Sequence, residues 1–136
     1  MARWSGGGLL VGGILGAIAF VLMVGLAAAF LGPWLPFGRD RVAVITVEGI
    51  IADSREIIEQ LHRYRDLPNV RAVILRVNSP GGAVAPSQEI YQEILKFRGQ
   101  AKKPVVASLG SVAASGGYYI AAACDRIVAN PGSITG

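Results

Sequence analysis

The chain of 136 residues contains one cysteine and one histidine, and this scarcity excludes whole classes of site. A single cysteine, Cys124, cannot form an internal disulfide. Together with His62 it supplies too few ligands for a zinc site. Cys124 is expected to pack as a small buried side chain, and His62 to lie hydrogen-bonded or exposed on a helix. The sequence therefore predicts no metal and no cofactor.

Basic clusters are also scarce. Residues 39–136 carry 12 Lys and Arg against 9 Asp and Glu, a net charge of +3. The longest basic run in this range is Lys102-Lys103, and aromatic residues do not interleave with it. A nucleic-acid partner is therefore not expected. No lysine follows a glycine pair with phosphate-loop spacing, so a nucleotide site is not expected either.

Charge is absent from residues 9–31, which read as one transmembrane helix. At about 1.5 Å per residue this segment extends roughly 34 Å, enough to cross a bilayer. A cleaved signal peptide is the alternative, but its apolar core is normally about 7–15 residues. We therefore expect a retained anchor, with a tail at 1–8 and a linker at 32–40. Basic residues lie on both sides of the segment, so charge does not fix its orientation.

Strand and helix patterns alternate after residue 40. Apolar, β-branched runs predict strands at 41–47, 70–77, 105–109 and 126–129. The first run is apolar on both faces, as expected for a strand buried in a parallel sheet. Asp53–Glu56 resembles a capping box that opens a helix, a second helix is predicted at 86–98, and a third follows Ser115. This alternation predicts an α/β domain with a mostly parallel sheet and crossover helices.

Ser115 is the candidate nucleophile. It lies in a glycine-rich and alanine-rich run, 110–117, where a strand gives way to a helix. Gly116 follows it at a helix start, where N–H groups are unpaired, and the Pro80–Gly82 turn can supply a second donor. The alternative is that both segments are only tight turns. Alanine at position 113 departs from the GxSxG pattern, which disfavours an α/β-hydrolase.

A general base is harder to find. His62 lies on the first helix of the domain, and Lys96 lies on the polar side of the second. Lys102 and Lys103 precede the third strand, whereas Ser115 follows it. Five or six strand residues separate them from the serine by roughly 17–20 Å. None of these residues is a credible base for Ser115.

Three segments, 78–82, 111–121 and 129–136, resemble the signal peptide peptidase A family of serine proteases, peptidase family S49. The resemblance implies a fold like that of the Clp proteases and crotonases over 41–136. It implies that Ser115 is the nucleophile and that Gly82 and Gly116 form the oxyanion hole. It also implies a Ser–Lys dyad, peptide substrates such as signal-peptide remnants, a homo-oligomer, and a domain on the outer side of the cytoplasmic membrane.

The lysine of the dyad is expected to follow the serine in this family, but no lysine follows Ser115 here. We therefore expect 41–136 to be a partial peptidase domain, truncated at its carboxyl end and inactive alone. The alternative from another class is a non-catalytic membrane-anchored scaffold that keeps the fold and the oligomer surface without a base.

Overall fold

The amino-terminal unit of the computed structural model is one apolar helix. The structure describes residues 7–31 and 39–136, so the tail at 1–6 and most of the linker, 32–38, lie outside the described residues. Helix α1 spans Gly7–Leu31, beginning two residues before the predicted anchor. Within the described ranges, one segment, Gly12–Phe30, is long and apolar enough to cross a membrane, with a mean hydropathy of 2.5.

The second unit, Arg39–Gly136, alternates strands and helices. Its elements are β1 (Arg41–Ile51), α2 (Arg55–Asp66), β2 (Val70–Gly82), α3 (Val84–Ala101), β3 (Val105–Ala113), α4 (Gly116–Ala122), β4 (Arg126–Val128) and β5 (Ile134–Thr135). Strands β1 to β4 lie side by side in that order, and each pair is parallel. The short β5 pairs with the end of β3. The predicted α/β fold with a parallel sheet is confirmed.

One face of the sheet is buried, which corrects the expectation that β1 is covered on both faces. Ala43, Ile45 and Val47 are buried, but Val42 and Val44 are about half exposed. Neighbouring strands are consecutive in the chain, so crossovers of one hand place every helix on the same face. Buried residues of α2, α3 and α4 complete the core on that face. An apolar run on both faces therefore did not mean burial on both.

Strands β2 and β3 are longer than predicted, and the prediction that both glycine-rich segments are loops was wrong in part. Strand β2 continues through Asn78–Gly82, and β3 continues through Gly110–Ala113. The register between β1 and β2 shifts at Arg41/Val42 and again between Glu48 and Ile50, after which Ile50 pairs with Gly81 and Ile51 with Gly82. This bulge lets strand pairing resume beyond the proline, a context that local sequence does not reveal.

The predicted capping box at Asp53–Glu56 was wrong in part. Helix α2 begins at Arg55, and the side chain of Ser54 does not cap it. The Ser54 hydroxyl instead donates a hydrogen bond to Glu89 on α3. Asp53 accepts the backbone N–H of Arg55 at 2.8 Å and pairs with the guanidinium of the same residue. Asp53 therefore makes the local contact at the helix start, while Ser54 bonds to a residue distant in the chain.

Asp125 ties the end of α4 to the start of β3. Its carboxylate accepts the backbone N–H of Val105 and the Nε–H of Arg98, both at 2.8 Å. Its own N–H donates to the carbonyl of Val105 at 2.8 Å. Burial raises the pKa of Asp125, but the hydrogen bonds from Val105 and Arg98 outweigh burial and leave this pKa below its ordinary value.

We therefore expect Asp125 to make the domain sensitive to acid. A carboxyl whose pKa is lower when folded stabilises the protein above its unfolded pKa, about 3.9, and the contribution is lost as pH falls through the folded pKa. Asp125→Asn should lower the free energy of unfolding by about 1 kcal/mol at neutral pH, given solvent screening. The difference should shrink near pH 2 in urea unfolding curves. Asp66→Asn, at the exposed end of α2, is the control and should leave the free energy of unfolding unchanged. A wild-type unfolding curve for Asp125→Asn would contradict the prediction.

Candidate active site

Ser115 is exposed and stands between β3 and α4 in an unusual backbone conformation. Its φ is +51° and its ψ is −124°. Left-handed φ values at residues other than glycine cost about 1–3 kcal/mol and persist only where neighbouring structure imposes them. Within 39–136, the Ser115 hydroxyl takes part in none of the hydrogen bonds found. Ser115 is therefore exposed, and its hydroxyl has no hydrogen-bond partner within 39–136.

Backbone hydrogen bonds impose this conformation from both sides. Ala114 donates its N–H to the carbonyl of Ser79 at 3.0 Å, and Ser115 donates its N–H to the carbonyl of Gly136 at 2.6 Å. After the serine, Tyr119 donates its N–H to the carbonyl of Ser115 at 2.8 Å. The N–H of Ser115 is thus already used, so an oxyanion at this site needs donors from other residues.

Gly81 and Gly82 of β2 lie against the turn that contains Ser115, called the serine turn below. Gly81 has a φ of +101°, and a Cβ added there would lie 2.8 Å from both the nitrogen of Gly116 and the Cβ of Ser115. The nitrogen of Gly82 lies 3.4 Å from the position that a Cβ on Gly116 would take. Only residues without side chains permit this approach. The structure thus brings Gly82, Ser115 and Gly116 together.

Backbone nitrogens from β2 and α4 meet at the serine turn. Ala83 donates its N–H to the carbonyl of Ile51 in β1 at 2.8 Å. The nitrogen of Gly82, one residue earlier, lies near Gly116, as the 3.4 Å distance given above shows. Gly116 is the first residue of α4, so its N–H has no acceptor inside that helix. The backbone nitrogens of Gly82 and Gly116 therefore lie close together at the serine turn.

Ser79 holds this arrangement, and sequence reasoning missed its role. Its side chain is fully buried. The hydroxyl donates to the carbonyl of Gly49 at 2.6 Å and accepts the N–H of Gly81 at 3.0 Å. Its carbonyl also accepts the N–H of Ala114. One residue thus connects β1, the glycine turn and the segment leading to the nucleophile, and only its place inside the Asn78–Gly82 motif hinted at this.

A cleft of about 450 Å³ opens beside Ser115. Its lining residues come from the end of β2, the start of α3 and the start of α4: Gly82, Val84, Ser87, Gln88, Ser115, Gly116 and Tyr119. The Ser87 hydroxyl, at the buried base, donates to the carbonyl of Ala83 at 2.9 Å. The cleft thus contains all three candidate site residues and lies at the carboxyl ends of the strands, where ligands of parallel sheets bind.

The side chains considered as bases or alternative nucleophiles lie elsewhere. Lys103, at the opposite end of β3, donates to three carbonyl oxygens at the end of α2 at 2.7–2.8 Å. Lys96 pairs with Glu93, and His62 lies 2.8 Å from the same carboxylate. Burial raises the pKa of the Cys124 thiol to about 12, which keeps it protonated.

Comparison with known proteins places the chain in a family. Residues 98–136 match the family model "Peptidase family S49". Over 106 residues the chain is 42% identical to Protease 4 of Haemophilus influenzae, an alignment covering 71% of this chain and 17% of that protein. The chain belongs to peptidase family S49. It spans about a sixth of the length of this curated S49 relative.

Solved structures support the same fold. A mutant of the 1510-N membrane-bound stomatin-specific protease, in complex with a substrate peptide, superposes with a TM-score of 0.59 at 29% identity. The match covers 74% of the S49 chain described here and 46% of that chain. A ClpP1 mutant from Listeria monocytogenes gives a TM-score of 0.53 at 25% identity, covering 60% and 46%. The expected likeness to Clp proteases is confirmed.

Proposed function

We propose that this S49 chain forms the nucleophile half of a serine endopeptidase site and that Ser115 attacks the substrate peptide bond. One observation carries the proposal: an exposed serine with a φ of +51° stands beside the backbone donors of Gly82 and Gly116 in an open cleft. Serine acyl transfer needs a free hydroxyl and preorganised N–H groups aimed at the developing oxyanion.

The proposed chemistry follows from this geometry. The Ser115 oxygen adds to the carbonyl carbon while its proton passes to a base. The negative carbonyl oxygen is stabilised by the N–H groups of Gly82 and Gly116. Collapse of this intermediate breaks the peptide C–N bond, releases the protonated amine and leaves an acyl-serine, which water then hydrolyses. We propose that the base is a lysine, made neutral by desolvation, which follows Gly136 in a longer chain.

Substrate, location and assembly are part of the same proposal. Helix α1 would anchor the enzyme in the cytoplasmic membrane, with residues 39–136 on the outer side. There the cleft would receive extended peptides released in the membrane, including signal-peptide remnants, which are apolar. The peptide-bound S49-like neighbour supports a peptide substrate. We also propose a homo-oligomer, in keeping with the family resemblance.

A non-catalytic scaffold is the second candidate, and one observation favours it. Within 39–136, no lysine or histidine side chain lies among the residues that line the cleft at Ser115. A chain without a base could keep its fold and its membrane helix while contributing only binding surfaces. The two candidates differ in whether the Ser115 hydroxyl can be made to react.

Chemical rescue of the missing base tests the proposed function. The chain in detergent is incubated with a fluorophosphonate probe, with and without a small primary amine, and labelling is followed by gel fluorescence. A positioned base contributes about 10²–10⁴-fold, so slow labelling is expected without amine. We expect free amine to accelerate it about tenfold, increasingly as pH rises toward the amine pKa, because only the neutral form accepts a proton.

Two serine variants control this experiment. Ser115→Ala should abolish labelling under every condition. Ser111→Ala, which removes an exposed hydroxyl from β3 nearby, should label at the wild-type rate. Labelling that survives Ser115→Ala, or wild-type protein that stays unlabelled at every amine concentration, would refute the peptidase proposal, and the second result would favour the scaffold.

A further inference from the structure

Strand β1 is an open edge of the sheet. It pairs with β2 on one side, and within residues 39–136 no strand pairs with its other side. The N–H of Arg41 donates toward β2, to the carbonyl of Asn69 at 2.7 Å, and the carbonyl of Gly49 accepts the hydroxyl of Ser79 in β2. Backbone groups alternate between the two sides of a strand. The outward N–H and C=O groups therefore belong to Val42, Val44, Thr46 and Glu48.

This edge is left open to another strand. Natural edge strands are commonly protected by charges, prolines or bulges. The segment Val42–Val47 contains neither a charged residue nor a proline, and Val42 and Val44 are about half exposed. The bulge between Glu48 and Ile50 ends the regular part of the strand. The open edge is thus an uncharged strand with a defined end.

Helix α2 carries both signs of charge on the side next to the open edge. Glu56 and Glu59 line a groove together with Thr46 of β1, so they lie beside that strand. Arg63 follows Glu59 by four residues and therefore lies on the same side of the helix. Within residues 39–136, neither Glu59 nor Arg63 makes an ion pair. This side of α2 is thus negative in its first half and positive in its second.

The open edge and this side of α2 are both complementary to themselves. When two copies of β1 run antiparallel about a two-fold axis at Ile45, Val42 faces Glu48 of the second copy and Val44 faces its Thr46. All the outward backbone groups from 42 to 48 then find partners. Helix α2 contacts both β1 and β2. The same axis therefore sets the two α2 helices about two strand spacings apart, roughly 10 Å, a normal distance for packed helices.

We propose that a second copy of this chain pairs with β1 along Val42–Glu48, so that the two sheets become one and the two α2 helices pack across the axis. This inference rests on the homo-oligomer proposed above and names its contact surface, but it does not require a reactive Ser115. A second copy fits better than an unrelated extended peptide. Only a copy brings Arg63 against Glu59 and Glu59 against Arg63, as an isologous interface requires.

Sedimentation equilibrium of the full chain in density-matched detergent tests the strand contact. We expect a reversible dimer for the wild type. Val44→Pro removes one outward N–H while the pairing with β2 is kept, since proline is tolerated at a strand edge. It should raise the dimer dissociation constant about 100-fold. Val44→Thr is the matched control, because it changes the side chain and keeps the N–H, and its dissociation constant should stay within about threefold of the wild-type value.

A charge exchange on α2 tests the helix contact. Arg63→Glu places like charges opposite each other and should raise the dissociation constant about tenfold. The double variant Glu59→Arg/Arg63→Glu restores opposite charges and should return it to within about threefold of the wild-type value. Lys102→Glu, an equal change of charge at the exposed end of α3, should have no effect. Glu59 and Arg63 are exposed, so these variants keep the test decisive if Val44→Pro does not fold.

The outcomes separate this interface from the proposed activity. A wild-type chain that stays monomeric would overturn the interface. A dimer that survives both Val44→Pro and Arg63→Glu would overturn it too, while the proposed homo-oligomer would stand through another surface. Amine-rescued labelling of Ser115 is measured in the same samples. A dimer that fails to label would refute the peptidase and support the interface, whereas a labelled monomer would do the reverse.

Discussion

Alanine at position 81 is expected to leave Ser115 almost unreactive. Gly81 adopts a φ of +101°, a region that costs other residues about 1–3 kcal/mol. Its added Cβ would also stand 2.8 Å from the nitrogen of Gly116 and from the Cβ of Ser115, both part of the site. Relief of this overlap must move the turn away from the serine. Removal of one oxyanion donor costs about 10²–10³-fold, so amine-rescued probe labelling should fall about 10²-fold.

The stability of the Gly81→Ala variant should fall as well, by roughly 2–4 kcal/mol in urea unfolding, because strain and overlap add. Gly99→Ala is the matched control. Gly99 lies in α3, and a Cβ there meets nothing within 4 Å. That variant should keep wild-type labelling and gain up to about 1 kcal/mol from helix propensity. Equal labelling of the two variants would show that the β2 turn does not shape the site.

Removal of the Ser79 hydroxyl should lower both the stability of the domain and the labelling of Ser115. Ser79→Ala leaves the buried N–H of Gly81 and the carbonyl of the exposed Gly49 without their partner. An unsatisfied buried group costs about 1–3 kcal/mol, and water can reach the Gly49 carbonyl, so the free energy of unfolding should drop by about 1–3 kcal/mol. Because Gly81 is then held less firmly, labelling of Ser115 in the folded protein should also decline, by about tenfold.

Ser133→Ala is the control that shows what the loss of a less buried hydroxyl costs. Ser133 donates one hydrogen bond to the carbonyl of Gly110 at 2.6 Å, and it is only partly buried. Its removal should cost about 1 kcal/mol and leave labelling unchanged. If Ser79→Ala were no less stable than Ser133→Ala, the buried hydroxyl would not be what holds β1, the glycine turn and the nucleophile together.

The pattern of the sequence was sufficient to predict the architecture. Apolar runs of β-branched residues and the amphipathic segments between them placed every strand and helix of the domain except the two-residue β5, apart from their ends. The glycines at positions 82 and 116 and the serine between strand and helix identified the residues that the structure brings together. These signals are local, because glycine content and hydrophobic periodicity can be seen within a few neighbouring residues.

What the sequence could not supply depends on contacts between distant residues. The capping box predicted at Asp53–Glu56 formed only in part, and nothing in these four residues shows that Glu89, 35 positions from Ser54, accepts its hydroxyl. The ends of β2 and β3 were missed because pairing with neighbouring strands overrides proline and glycine. The bridging role of Ser79 could not be predicted, because the fold decides which groups its hydroxyl contacts. A serine in the sequence does not show whether its hydroxyl will be buried between two backbone groups.

The uncovered face of the sheet has a consequence for how sequence change is tolerated. Val44, Ile74 and Val106 stand in one register across three strands on that face, whereas Ile45 and Leu75 point into the core. In residues 39–136, polar replacements at Val44, Ile74 and Val106 should leave stability unchanged. Polar replacements at Ile45 and Leu75 should unfold the domain. A mutational scan would therefore show a period of two along β1 and β2. If polar residues at Val44 are not tolerated in the active enzyme, a second layer of structure packs on this face of the sheet.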